Sequence, residues 1–481
     1  MFSFLQLVSD YLWTYVVITA LVFCALYFTI LIRGLQFTHV KDMLKVIVNR
    51  PIGAVPSSSL HEGKMSAPPV TAADDDLSRI GSFQAFAVSL SSRVGTGNLA
   101  GVASAIFIGG PGAIFWMWMM SLFGAATAFV EATLAQLYKK RGTDSYYGGP
   151  AYYMQHGLHN RWLGLLFAVL ITITFGMANQ IIQSNTLCTA LSDSFQVDIR
   201  LVGIVLTLAT LVIIFGGIRR ISHFASIVVP FMAIGYVLIA LYVILTNLTR
   251  VPDMFRLIID HAFGLHSVVG GGIGIAIMQG VKRGLFSNEA GEGSAPNAAA
   301  IAHTSHPVKQ GLLQAFGVFM DTIVVCTCTA FIILLSGLYD SSYDGILLTK
   351  YALETHVGSS GGHFITLAIF LFAYSTIIAN YFYGETNIRF ITDGKTSINI
   401  FRLITGITVM AGGLVTLQTA WSMVDICMGI MTLVNLIAII QLSPKVFQLL
   451  DNYIEQRRQH RDPQFRRSMM TDTEKDIECW E

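Results

Sequence analysis

The sequence predicts an all-α polytopic membrane protein with about eleven transmembrane helices. Ten of them form two inverted five-helix repeats, each opened by a discontinuous helix. Three observations predict this. Of 481 residues, 53% are hydrophobic and only 12% charged, and the mean hydropathy is +0.61; a soluble chain carries about twice that charged share. Apolar runs of spanning length recur along the chain, and basic residues gather in alternate loops. Two apolar stretches are interrupted by glycine, at 95–101 and at 270–276, in corresponding halves. Non-helical backbone at membrane depth persists only inside protein or beside a wet cavity. Paired interruptions of this kind point to a binding site between repeats.

The elements follow in order. Residues 12–32 are an uncharged apolar run long enough to span. Asp10 precedes the run and no small-residue cleavage site follows it, so it does not read as a signal peptide. Arg33, Lys41, Lys45 and Arg50 follow it, which places the N-terminus outside. Phe37, Val40, Leu44, Ile47 and Val48 share one helical face, so 35–49 reads as an interfacial helix. Residues 51–79, rich in Pro, Ser, Ala and Asp, read as a loop. Spans two to six fall at about 81–108, 112–138, 161–187, 201–217 and 222–246. Spans seven to eleven fall at about 266–283, 309–338, 363–388, 400–417 and 419–441. Lys139 to Arg141, Arg219 and Arg220, Lys309, Arg389 and Lys395, and the basic tail then lie on one side, so the C-terminus is inside. The expected organisation is an extra helix and inner segment (1–80), a first repeat (81–246), a second repeat (247–441) and a cytoplasmic tail (442–481).

In the first interruption, Gly95, Thr96, Gly97 and Asn98 offer backbone groups and two polar side chains. One end of an unwound helix presents N–H groups that suit a carboxylate; the other presents carbonyls that suit a cation. Small residues here also serve close helix packing, which does not require Asn98 or Arg93. In the second, Gly270 to Gly274 lead into Met278, Gln279 and Gly280. Gln279 suits either a ligand or an interhelical hydrogen bond. The stretch from Lys282 to Asn297 starts basic, which fits an inner interface, and Ser294-Ala-Pro296 is a helix start signal. Ser375 and Thr376 offer neighbouring hydroxyls, either to a small cation or to their own helix. Asn179 and Gln183 share a face one turn apart, near Phe175.

Five charges fall inside spans: Arg93, Glu131, Asp321, Glu385 and Asp425. Each is costly in lipid. Arg93 is expected to pair with a carboxylate, while Glu131 and Glu385 sit near the inner interface. Cys24, Cys188, Cys326, Cys328, Cys427 and Cys479 are scattered and read as packing residues. With a net charge of +1, nothing points to a nucleic-acid partner. No phosphate loop and no His-Glu-x-x-His string is present. Gly358-x-Ser360-x-Gly362 matches a hydrolase string but is expected in an outer loop, without a strand-to-helix elbow. A channel or an intramembrane hydrolase is the rival class to a transporter.

Four motifs carry a family resemblance: Gly95 to Gly101, Gly109-Gly-Pro-Gly-Ala-Ile-Phe-Trp-Met-Trp118, Gly148-Gly-Pro-Ala-Tyr-Tyr-Met154 and Arg283 to Pro296. Over roughly 80–440 the chain resembles the alanine/glycine:cation symporters, also called sodium:alanine symporters. The resemblance implies a leucine-transporter-like fold in a bacterial or archaeal inner membrane. It implies no enzyme activity and no cofactor, but import of a small neutral amino acid (alanine, glycine or D-alanine) with sodium, less often with protons. Thr96, Gly97 and Asn98 would hold the substrate carboxylate. Gly274, Met278 and Gln279 would face it from the other broken helix, Phe175 and Gln183 from span four. Gly95, Asn98, Ser375 and Thr376 would surround the cation.

Overall fold

A computed structural model describes residues 2–48, 80–142, 145–264, 271–470 and 476–480. The expected loop at 51–79 and Gly270 lie outside them. Helix α1 (Phe2–Tyr11) runs through a π-helical stretch into α2 (Ile18–Leu31), then the short α3 (Leu35–Thr38) and α4 (Val40–Val48). Two pieces follow, α5 (Ser82–Arg93) and α6 (Val102–Gly109), then α7 (Ala113–Leu137), a hairpin of two two-residue strands and α8 (Pro150–His156). Helix α9 (Arg161–Ile173) continues through a π-helical turn into α10 (Asn179–Phe195); α11 (Ile199–Ile214), α12 (Gly217–Thr246) and α13 (Val251–Ala262) complete the first half. The second half holds α14 (Gly271–Asn288), α15 (Ala295–Ala300), α16 (Pro307–Val318), α17 (Thr327–Ser336), α18 (Gly345–Val357), α19 (Ser359–Ile391), α20 (Lys395–Gly412) and α21 (Leu417–Arg458).

Seven helical stretches among the described residues are long and apolar enough to cross a membrane. The share of buried positions separates them. Arg161–Phe195, Pro307–Ser336 and Ser359–Ile391 are about 70% buried, whereas Leu7–Leu31 and Gly217–Thr246 are 28% buried. The former line the centre and the latter form the rim. The broken pair α5–α6 is the hub: α5 packs on α12, α16 and α19, and α6 on α14. Helix α7 lies against both α14 and α16.

Four expectations are corrected. Gly271 to Ala276 do not interrupt a helix; they are the first turns of α14. A helical glycine costs about 1 kcal/mol, which the packing of α14 on α7 outweighs. The break comes later, at 289–294, where Glu289, Gly291 and Gly293 have φ of 56°, 93° and 84°. No α-helix accommodates that run. Ser359 and Ser360 begin α19 rather than forming a loop. Glu131 is fully buried and bound to the N–H groups of Gly291 and Gly293 rather than reaching out to solvent, whereas Glu385 pairs with Arg389 at 2.6 Å. Lys282 and Arg283 are also buried, held by Asp425 at 3.7 and 2.8 Å. The Ser294-Ala-Pro296 signal does open a helix, α15.

A candidate binding site at two helix breaks

Helix α5 ends at Arg93, and Val94 leaves the helical region with ψ of 79°. The chain turns at Gly95 and re-enters helix through a π-helical turn at Gly97–Gly101. The Gly95 N–H in this turn is shared between Asn98 Oδ1 and Arg93 O, each at 2.9 Å. Thr96 donates its N–H to Gln183 Oε1 at 3.1 Å, and Asn179 Oδ1 accepts from Gln183 Nε2 at 2.9 Å. Gly95 must be glycine: a Cβ there would collide with Thr376 Oγ1. The Thr376 hydroxyl donates to Ser91 O at 2.7 Å, and the Ser91 hydroxyl donates to Ser375 O at 2.9 Å. Thus the end of α5 and the middle of α19 exchange hydroxyl and carbonyl oxygens beside the break. Among the expected residues, the structure brings together Gly95, Thr96, Gly97, Asn98, Gln183, Ser375 and Thr376.

Across this break stands the last turn of α14, not its first. Asn98 Nδ2 donates to Ser287 Oγ at 3.1 Å and to Asp321 Oδ1 at 2.6 Å. Ser287 donates to Asp321 Oδ2 at 2.6 Å, and Thr322 Oγ1 donates to the same oxygen at 2.9 Å. Asp321 lies in the π-helical turn Phe319–Cys326, which aims a carboxylate at Asn98. Phe286 packs on Gly97 and makes an edge contact with Trp421, centroids 4.7 Å apart. Arg283 stacks over the Trp421 ring at 3.8 Å. Cys326 touches Asn98 at 3.3 Å, so it belongs to the site rather than to bulk packing.

Gly274, Met278 and Gln279 are not at the break. Gly274 is exposed, with nothing within 4 Å of a Cβ built on it. Met278 accepts from Thr14 of the N-terminal helix at 3.4 Å. Gln279 packs near Gly109 at the far end of α6. The helix is right, but these residues lie two to three turns too early along it. Phe175 packs against Tyr383, centroids 5.5 Å apart.

The second break is built from charges. Glu131 on α7 accepts the N–H groups of Gly291 and Gly293, each at 3.1 Å, and Asn435 Nδ2 at 2.9 Å. Glu289 accepts from the hydroxyls of Ser92 and Ser294. Arg93 is 1% exposed and donates through Nη1 to Gln314 O at 3.1 Å. Among the described residues it forms no direct ion pair, contrary to expectation, and its Nε and Nη2 are unpartnered. Ser287, Asp321 and Glu131 are the residues that periodicity and composition did not assign to the two breaks. Asp321 and Glu131 were visible only as charges inside apolar runs.

At the end opposite α15, the site is roofed by α18. Thr349 donates to Leu99 O at 3.0 Å, and Ser104 to Asp344 at 2.7 Å. Two helix breaks in contact through Ser92 and Glu289, among helices long and apolar enough to span a bilayer, are what a membrane transporter site is made of. The comparisons agree. The model of the sodium:alanine symporter family matches residues 1–467, and the chain belongs to that family. It is 46% identical to the amino-acid carrier protein AlsT of Bacillus subtilis over 479 residues, covering 100% of this chain and 97% of that one. It is 45% identical over 473 residues to the protein of the same organism named "Probable sodium/glutamine symporter GlnT", covering 98% and 94%. The fold matches that of MhsT, solved with L-phenylalanine, at a TM-score of 0.53 and 12% identity, over 73% of this chain and 87% of that one. The chain is therefore an amino-acid symporter with a leucine-transporter-like, all-helical fold, and not an enzyme.

Proposed function

We propose that the chain imports a small neutral amino acid (alanine, glycine or D-alanine) together with sodium, by alternating access. In this reading eleven spans cross the membrane with the N-terminus outside and the C-terminus inside. Two five-helix repeats rock about the paired breaks. The observation that carries the reading is the contact between the first break and two neighbouring elements: Gln183 on Thr96 N–H, and Thr376 beside Gly95.

The Gln183 carbonyl takes the N–H that a substrate carboxylate would otherwise accept. Substrate binding therefore exchanges one acceptor for another of higher charge, a stronger hydrogen bond. The oxygens of Ser91, Ser375 and Thr376 form a neutral oxygen-rich lining suited to a monovalent hard cation. Sodium there would join α5 to α19 and favour the closed arrangement. Small size follows from the walls: Phe286 stands against Gly97, and Trp421 against Phe286. An extra methylene against such walls shifts selectivity by about 1–3 kcal/mol.

The test is labelled-amino-acid uptake into proteoliposomes under an inward sodium gradient, an inward proton gradient or none, with alanine, glycine and glutamine compared. Sodium-driven accumulation of alanine or glycine is expected. Accumulation with protons alone overturns the sodium assignment, and preference for glutamine overturns the size argument.

A further inference from the structure

Three carboxyls, Glu131, Glu289 and Glu292, lie together at the second break with relative exposures of 0, 1 and 1%. Arg93 is the cation that acts on all three. Three buried negative charges against one positive charge would be costly. The hydrogen bonds show how the imbalance is resolved. Glu131 receives three N–H donors, from Gly291, Gly293 and Asn435. Glu289 receives two hydroxyl donors, from Ser92 and Ser294. Both are served as carboxylates.

Glu292 is not. Its Oε1 lies 3.3 Å from Ser294 Oγ, and its Oε2 has no partner at all. A serine hydroxyl carries one proton, and Ser294 gives its proton to Glu289 Oε2 at 2.6 Å. The Ser294 and Glu292 oxygens therefore face each other with no proton between them, unless Glu292 supplies it. Arg93 leaves two buried nitrogens unpartnered in the same cluster and reaches none of the three carboxyls directly. Tyr383 of α19, also fully buried, lies in the field of Glu289 and Glu292. Tyr153 of α8 closes the group through Asn435, which it contacts by its hydroxyl.

We infer that Glu292 is a proton-binding site: it holds a proton while the two breaks are packed together and exchanges it when they separate. The O–H of the neutral acid donates to Ser294 Oγ, completing a chain from Glu292 through Ser294 to Glu289. Gly291 and Gly293 flank Glu292 with left-handed backbone, so the proton sits at the second break itself. Loss of that proton adds a third negative charge beside Glu131 and Glu289. Raising the pH should therefore disfavour the packed state and slow transport. The transport arm of the test rests on the symport reading above; a spectroscopic arm does not.

Sodium-driven alanine uptake is measured from about pH 7 to about pH 9 for the wild type, Glu292→Gln and Glu289→Gln. A glutamine at 292 can donate to Ser294 Oγ as the proposed acid does, so that variant should fold. Wild-type uptake should fall several-fold across the range, and Glu292→Gln should lose that fall. A fall of equal size in Glu292→Gln overturns the proposal. Infrared spectra of the purified proteins at neutral pH supply the second readout. The difference spectrum of wild type minus Glu292→Gln should contain a protonated-carboxyl band, and that of wild type minus Glu289→Gln should not. A difference spectrum of wild type minus Glu292→Gln without such a band overturns the assignment whether or not alanine is the substrate.

Discussion

The two breaks solve the same problem with different chemistry. In the first, the freed backbone is held by neutral amides and a hydroxyl: Asn98, Gln183 and Thr376. In the second, a buried carboxylate, Glu131, clamps two N–H groups while Glu289 and Arg93 stand beside it. Neutral hydrogen bonds contribute about 0.5–1.5 kcal/mol net and charged ones about twice that. A weakly held turn can give up its partners to a ligand. A strongly held one keeps its shape and moves as a unit. The contrast teaches that the first break is the half of the site that exchanges partners with a ligand, and the second the half that keeps its clamp while it moves as a unit.

The largest effect that would break this comparison comes from Glu131→Ala. It strands the N–H groups of Gly291 and Gly293 and the amide of Asn435, at about 1–3 kcal/mol per orphaned group. Expression and thermal stability in detergent should fall steeply, and uptake with them. A variant as stable as the wild type would mean that the second break is held by something other than its clamp.

Asn98→Ala comes next. It removes one acceptor of the Gly95 N–H, which keeps Arg93 O at 2.9 Å, and the donor to Ser287 and Asp321. Membrane insertion should be kept and the melting temperature should fall less than in Glu131→Ala, while alanine uptake drops about tenfold or more, as loss of about 1.4 kcal/mol or more would give. Wild-type uptake kinetics would show that the first break is structural. Replacing Ser375 and Thr376 together by Ala should act more narrowly. The sodium concentration for half-maximal uptake should rise several-fold, as about 1 kcal/mol of lost oxygen contacts would give. An unchanged sodium dependence would move the cation elsewhere.

Much of this was legible in the sequence, and the reasons differ by element. The turn at Gly95 was legible because glycines and an asparagine there have no place in an apolar helix. Gln183 and Thr376 were legible because polar groups inside spans need partners. The second break was misplaced because 270–276 and 289–294 are both glycine-rich, and composition does not reveal φ. Gly271 to Gly274 stay helical as the first turns of α14, whose later turns pack on α7. The charges around 289–292 resembled an interfacial loop, since their burial depends on α5 and α7, which are distant in sequence. Glu131 was noticed as a charge, but its partners are backbone N–H groups, which leave no mark on sequence.

That distinction gives the smallest expected effect, and the sharpest. Gly274 and Gly293 are both glycines of the second broken helix, yet only one is in the break. Gly274 is helical and exposed, with open space where a Cβ would stand. Alanine there removes backbone freedom from the unfolded chain and adds about 0.4–1 kcal/mol of stability. Uptake by Gly274→Ala should stay within about twofold of wild type, since a change under about 0.4 kcal/mol is expected at the breaks. Gly293 has φ of 84°, and a Cβ would stand 2.8 Å from both Phe167 Cζ and Pro150 Cγ. Gly293→Ala should therefore lose both stability and uptake. If the two alanines behaved alike, or if Gly274→Ala alone abolished uptake, the hinge would lie at the start of α14 after all, and Glu131 would clamp a segment that does not move.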